Sequence, residues 1–268
     1  MTYFTFLAIF VLIPILIFGA SMAWQISRRA SAPSRPFHLE PRPVLWGIFA
    51  HVVLAVVYTT PWDNYLVATG VWYYNPKLVT GIVLGYVPIE EYTFFVVETI
   101  LSGLVWWHLA KAIPPTKTSE QPAPNWRFNI IAVIVVAAFW VFFTRQFFSG
   151  PEAWTYLSII YFWALPPILL QLAFGADLLW QHRKLVFLAI ALPGTYLSLT
   201  DIIALRATTW QISPTQTLGL NLFGILPIEE ITFFFITNVL IVFGLTLLLS
   251  TQGAGRLQAI QALLRRKK

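Results

Sequence analysis

Two long apolar stretches of this chain open with nearly the same phrase, Pro88-Ile89-Glu90-Glu91-Tyr92-Thr93-Phe94-Phe95 and Pro227-Ile228-Glu229-Glu230-Ile231-Thr232-Phe233-Phe234, which differ only at Tyr92 and Ile231. Carboxylates beside apolar runs have little water, so each ionised group needs a partner. Two such pairs imply a site assembled from both copies. A Pro at the first helical position followed by Glu is also how a helix start is written, so capping alone accounts for part of the motif.

The phrase belongs to a longer internal repeat, and that bounds the architecture before any element is assigned. Tyr58, Thr60, Asp63, Trp72 and Pro76 match Tyr196, Ser198, Asp201, Trp210 and Pro214 without a gap, and one extra residue then enters the second copy before Pro227. A Tyr, a hydroxyl and an Asp therefore precede each Glu pair. Helix capping does not require that.

With 58% apolar and 10% charged residues, the chain is an integral membrane protein, since soluble domains carry about 25% charge. It has no Cys, which excludes disulfides, thiolate metal sites and thiol nucleophiles. The four His are scattered without metal-ligand spacing, and no phosphate loop or dinucleotide fingerprint occurs. No metal and no cofactor are expected. The net charge of +6 raises nucleic acid as a partner, but the basic residues lie at span ends rather than in a patch, so none is expected.

The expected fold is all-α and membrane-integral, with about seven transmembrane helices arranged as two parallel three-span repeats joined by a linker span. The first repeat covers residues 1–110, the linker 111–152 and the second repeat 153–268. Spans are read at Phe4 to Trp24, Val44 to Thr60, Pro88 to Ala110, Asn129 to Phe148, Ala153 to Phe174, Lys184 to Thr200 and Leu226 to Thr251. The first reads as a retained span rather than a signal peptide. The second is closed in this reading by Pro61-Trp62-Asp63. The apolar run Leu78 to Tyr86 is too short to cross hydrocarbon about 30 Å thick, so it reads as re-entrant or interfacial.

The positive-inside rule gives an orientation. With the N-terminus outside, Arg28, Arg29, Arg35, Arg42, Lys111, Lys117, Arg127, Arg183, Lys184, Arg256, Arg265, Arg266, Lys267 and Lys268 fall inside, and only Lys77, Arg145 and Arg206 remain outside. The expected location is the cytoplasmic membrane of a prokaryote, with the C-terminus cytoplasmic. Both Glu pairs, Asp63 and Asp201 then lie toward one side, where a pseudo-two-fold axis could bring them together.

Glu90, Glu91, Glu229 and Glu230 are the leading acid–base candidates. Asp63 and Asp201 join them by repeat logic, and Glu98 by the cost of a carboxylate deep in a span. Glu91 and Glu98 share a helical face, and Thr237 stands where Glu98 would recur. Glu98 also reads as a protonated group hydrogen-bonded between helices. Crowded carboxylates in low dielectric cannot all ionise, which can furnish a proton donor and a base at one place. Phe94, Phe95, Phe233 and Phe234 can stabilise a carbocation through their π faces, or simply pack. Tyr58 and Tyr196 are substrate-binding candidates that read equally as interfacial belt residues. His51 and His108 have no repeat counterparts and receive no catalytic role.

At the duplicated Pro-Ile-Glu-Glu the sequence resembles the membrane-integral lycopene cyclases of the heterodimeric type, here as one fused chain. In that family two three-span units, separate or joined by an extra span, each carry a Pro-x-Glu-Glu/Asp motif. The resemblance covers nearly the whole chain and carries over to Pro88, Glu90, Glu91, Pro227, Glu229 and Glu230. It implies a redox-neutral cyclisation of lycopene or a related acyclic carotenoid, in which an acid protonates the terminal alkene, the internal alkene attacks the cation and a base removes a ring proton. It implies membrane lipid as the surroundings and leaves room for contact with other carotenoid-pathway enzymes. An ion-coupled transporter is the main rival from another class, because carboxylates and repeats suit it as well. An aromatic-acceptor prenyltransferase should carry Asp-rich motifs, which Asp63 and Asp201, as single residues, do not supply. A purely structural membrane protein would tolerate Gln at all four motif Glu positions.

Overall fold

A computed structural model of the chain describes residues 1–28, 36–113 and 123–266. Arg29, Arg35, Lys117, Lys267 and Lys268, which entered the charge count, lie outside the described residues. Among those described, seven helices are long and apolar enough to cross a membrane. They are α1 (Tyr3–Ser27), α2 (Pro41–Ala68), α3 (Ile89–Ala112), α4 (Trp126–Ser149), α5 (Thr155–Gln181), α6 (Arg183–Arg206) and α7 (Ile228–Leu249). An eighth helix, α8 (Thr251–Arg266), follows α7. The protein is thus an all-α integral membrane protein with seven spans.

Three helices run six or more residues further than the sequence reading placed them, and one of them, α5, passes Phe174 to reach Gln181 across a kink at Gly175. α2 does not close at Pro61-Trp62-Asp63 but continues to Ala68 with Pro61 inside it. Pro61 cannot donate to the carbonyl one turn back, and two side chains beside it bond the helix backbone: Thr60 Oγ1 donates to the Val56 carbonyl at 2.6 Å and Asn64 Nδ2 to the Thr60 carbonyl at 2.9 Å. α6 likewise continues past Thr200 to Arg206. Asp63 and Asp201 are therefore mid-helix residues, both completely buried. The last span ends at Leu249 rather than Thr251, because Ser250 adopts an extended backbone before α8 restarts. α8 is anchored by Arg256, whose guanidinium meets Asp177 at the end of α5 at 2.6 Å and donates to the Phe174 carbonyl at 2.9 Å.

The Glu-bearing helices α3 and α7 lie at the centre, with α3 the most enclosed span and α4 the least. α4 packs along α5, with the Trp140 indole N–H donating to the Phe162 carbonyl at 3.1 Å.

The only strands among the described residues are three two-stranded ribbons. β1 (Trp72–Tyr74) pairs antiparallel with β4 (Trp210–Ile212), in the register Trp72 to Ile212, Tyr73 to Gln211 and Tyr74 to Trp210. That register is self-complementary under the repeat, because Trp72 and Trp210 are equivalent positions and each pairs with the residue two beyond the other. Flanking bonds obey the same rule: Ser213 N donates to Val71 O at 2.8 Å, and Asn75 N to Thr209 O at 3.1 Å. Such reciprocity is the mark of a two-fold contact, so the halves face each other about an internal two-fold axis through this ribbon.

Each Glu pair is introduced by a small hairpin, β2 (Val83–Leu84) with β3 (Val87–Pro88) and β5 (Asn221–Leu222) with β6 (Leu226–Pro227). Two residues turn the first hairpin and three the second, so the extra residue of the second copy sits in a loop and leaves the helices in register. Gly85 and Gly224 occupy these turns with φ of +69° each, the left-handed region that glycine adopts without strain. The side chains from Gly81 to Tyr86 are exposed, which suits an interfacial run rather than a re-entrant one sealed in protein.

Candidate active site

The two Glu of each motif leave their helix in different directions and meet different partners. Glu90 Oε1 accepts the backbone N–H of Thr80 at 2.6 Å, and Glu229 Oε1 that of Leu218 at 2.8 Å. These are repeat-equivalent bonds that tie each helix start to the hairpin strand before it. Ile89 N to Ile82 O and Ile228 N to Leu220 O, at 2.9 and 3.0 Å, reinforce the same junction. Glu91 and Glu230, one residue on, turn instead into a single cavity between the halves.

In that cavity each carboxylate is met by a buried tyrosine at the start of a helix. Tyr3 Oη donates to Glu91 Oε2 at 2.6 Å, and Tyr156 Oη donates to Glu230 Oε1 at 2.6 Å. The sequence reading missed both phenols. They are repeat-equivalent, since the backbone N–H of Tyr3 bonds Leu78 O and that of Tyr156 bonds Gln216 O. The signal was present as Thr2-Tyr3 and Thr155-Tyr156, each followed eleven residues later by a proline, Pro14 or Pro167. Tyr74, also missed, adds a second bond to Glu91 Oε2 at 3.0 Å. Burial, with Glu91 beside it, pushes the Tyr74 phenol well above its ordinary value, which keeps it a proton donor.

Aromatic rings close the cavity. Phe94, Phe233, Phe234, Trp72 and Trp210 line it, with Phe94 edge-on to Phe234 at 6.2 Å and Phe233 edge-on to Phe234 at 5.5 Å. Trp210 lies against Tyr3 at 4.7 Å and Trp72 against Tyr156 at 5.7 Å, so the indole of each half covers the phenol of the other. Asp201 also faces the cavity and its Oδ1 accepts the Trp210 indole N–H at 2.9 Å. Asp63 lies just behind the wall, and neither of its oxygens has a hydrogen-bond partner among the described residues.

The remaining candidates lie elsewhere. Glu98 opens into a neighbouring, larger cavity and accepts from Thr237 Oγ1 at 2.8 Å, so positions 98 and 237, equivalent in the repeat, meet across the axis. Phe95, Tyr58 and Trp163 line that second cavity, and Phe233 borders both. The Tyr58 hydroxyl donates to the Trp163 carbonyl at 2.9 Å and the Tyr196 hydroxyl to the Phe10 carbonyl at 2.8 Å. Each thereby ties one half to the first helix of the other.

Buried carboxyls, the phenols that bond them and an aromatic wall thus meet in one cavity. The lycopene cyclase family profile matches residues 40–109 and 153–248, and the chain belongs to that family. It is 35% identical over 248 residues to a lycopene beta-cyclase of Halobacterium salinarum, covering 92% of this chain and 95% of that one. It is 37% identical over 199 residues to a bifunctional lycopene cyclase/phytoene synthase of Podospora anserina, covering 72% of this chain and 33% of that larger protein. No solved structure matches the chain.

Proposed function

We propose that the protein closes β-ionone rings on the acyclic ends of lycopene, yielding γ- and then β-carotene, at the cavity shared by Glu91 and Glu230. The observation that carries this reading is that one carboxyl from each half enters one aromatic-walled space. A carboxylic acid there protonates the terminal alkene, and the tertiary cation is held against the π faces of Phe94, Phe233 and Phe234. The internal alkene attacks it, and a carboxylate then removes a ring proton. The overall change is an isomerisation, so atoms and electrons balance without an oxidant or reductant.

Glu90 and Glu229 support this site from behind by fixing the helix starts. Asp201 borders the reacting space and Asp63 is a further buried carboxyl. Family membership leaves no support for an ion-coupled transporter. The division into repeats at 1–110 and 153–268 with a linker between them is part of the same reading. So is an N-terminus on the outer face of a prokaryotic cytoplasmic membrane, which the basic residues at the opposite span ends support. Expression in a lycopene-accumulating bacterial host, followed by pigment chromatography, tests the function: ring-bearing carotenoids are expected. Unchanged lycopene beside normally accumulated protein would sink the reading.

A further inference from the structure

The scaffold around the cavity is two-fold, but one position breaks the equivalence of its two carboxyls. β1 carries Tyr74 where β4 carries Ile212, and both side chains line the cavity. Glu91 Oε2 therefore receives two phenol protons, from Tyr3 at 2.6 Å and Tyr74 at 3.0 Å. Among the described residues Glu230 receives only Tyr156, on Oε1 at 2.6 Å.

Resting on the cyclisation reading above, we propose that Tyr74 sets the direction of proton transfer, making Glu91 the proton acceptor and Glu230 the proton donor. Hydrogen bonds donated to a carboxylate favour its charged form, and carboxyls crowded in low dielectric cannot all ionise. The proton therefore stays on the carboxyl with fewer donors, Glu230, whose Oε2 is free to carry it. In the reaction the Glu230 O–H bond breaks and the terminal alkene's electron pair forms a new C–H bond. The internal alkene's pair forms the ring C–C bond. The pair of a ring C–H bond becomes the ring alkene as Glu91 Oε1 takes the proton. Return of that proton from Glu91 to Glu230 resets the pair.

Asp201 is the competing donor, since it borders the same cavity. Each has one donor, the Trp210 indole on Asp201 Oδ1 and the Tyr156 phenol on Glu230 Oε1, so the choice rests on position: Glu230 lies one helical turn before Phe233 and Phe234, the rings proposed to face the cation. Tyr74 is a positioning residue, acting through Glu91.

The test uses full-length purified protein with lycopene in heavy water, reading conversion, deuterium in recovered lycopene, and ring type. Glu230→Gln is expected to give no rings and no deuterium in recovered lycopene, because no cation forms. Glu91→Gln is expected to lose turnover but still form the cation, so recovered lycopene gains deuterium or rings appear with the alkene misplaced. Tyr74→Phe, whose apolar ring has a precedent in Ile212 of the other half, is expected to lower conversion about tenfold and to raise the share of misplaced alkenes. A purely structural role would leave that share unchanged.

Deuterium exchange in Glu230→Gln but not in Glu91→Gln would reverse the roles. Loss of all exchange in Asp201→Asn, with exchange kept in Glu230→Gln, would move the donor to Asp201. Unchanged conversion and ring type in Tyr74→Phe would remove its directing role. Wild-type conversion by both Gln variants would leave cyclisation standing and overturn its assignment to Glu91 and Glu230, and this proposal with it, whereas no conversion by the wild-type protein would sink the cyclisation reading itself.

Discussion

The two halves of the molecule repeat each other's structural bonds and diverge in their chemical ones. Thr80 to Glu90 has its counterpart in Leu218 to Glu229, Tyr3 to Glu91 in Tyr156 to Glu230, and Tyr58 to Trp163 in Tyr196 to Phe10. Against this stand Tyr74 opposite Ile212, Glu98 opposite Thr237, and Asp201 bonded to Trp210 while Asp63 has no partner among the described residues. A two-fold scaffold brings two carboxyls to one place cheaply in sequence, but cyclisation needs one to give a proton and the other to take one. In the proposed reaction, symmetry builds the site and its local failure makes the carboxyls different.

The comparison breaks most visibly at the carboxyls themselves. Glu91→Gln and Glu230→Gln each keep the shape and an oxygen that can accept the tyrosine proton, so the fold should survive. A carboxamide cannot exchange the reacting proton, and general acid–base catalysis is typically worth about 10²–10⁴-fold. Carotenoid bearing β-rings should fall by that much in either variant, measured against protein level. If one half tolerates the change, only the other supplies chemistry.

The phenols sharpen the comparison at the next level. Tyr156→Phe removes the tyrosine donor to Glu230, whereas Tyr3→Phe leaves Tyr74 on Glu91. A hydrogen bond to a charged or reacting group is worth about 1.5–3 kcal/mol, so turnover should drop roughly ten- to a hundredfold for Tyr156→Phe and less for Tyr3→Phe. Equal losses in kcat would show that the Tyr74 bond gives Glu91 no protection.

Much of this arrangement was legible in the sequence, because the repeat, the Glu pairs and the apolar spans are local patterns. The seven spans follow from length and hydropathy, and the pairing of halves from the duplicated motif. What the sequence hid was contact between distant helices. Tyr3 and Tyr156 were passed over because the repeat was followed only from Tyr58 onward, although the Thr-Tyr pair and the later proline recur in both first spans. Helical spacing put Glu91 and Glu98 on one face, yet neighbouring helices divide that face between two cavities. Nothing in spacing shows that Tyr58 and Tyr196 would bind main-chain carbonyls.

A smaller effect is expected at the first Glu of each motif, where the halves should behave alike. Glu90 and Glu229 each accept a backbone N–H from the preceding hairpin, and the carbonyl of Gln can do the same. Glu90→Gln and Glu229→Gln should therefore keep turnover within about tenfold of wild type. Removing the acceptor with Ala leaves a partly buried N–H without that bond, at a cost of about 1 kcal/mol. Lower thermal stability in both Ala variants, with turnover retained at low temperature, is the expected pattern. Turnover abolished in Glu90→Gln with stability unchanged would place that residue in the proton-transfer chemistry.

The smallest effect should come from Glu98 and its repeat counterpart Thr237. Glu98 is a deeply placed carboxyl, but it borders the neighbouring cavity and its recorded partner is Thr237 Oγ1 at 2.8 Å. Thr237 also donates to the Phe234 carbonyl of its own helix at 3.1 Å, so its hydroxyl keeps a partner when Glu98 is changed. Glu98→Gln retains an oxygen for Thr237 and removes only the capacity to carry charge. Because the aromatic-walled cavity holds Glu91, Glu230 and Asp201 without it, turnover should stay within a few-fold of wild type and ring type should not change, since one interhelical hydrogen bond is worth only about 1 kcal/mol. Thr237→Val, which removes the donor and leaves Glu98 less satisfied, should lower thermal stability more than Glu98→Gln does. Loss of turnover in Glu98→Gln at normal stability would mean that the second cavity belongs to the reacting centre, and that positions 98 and 237 differ for chemical reasons.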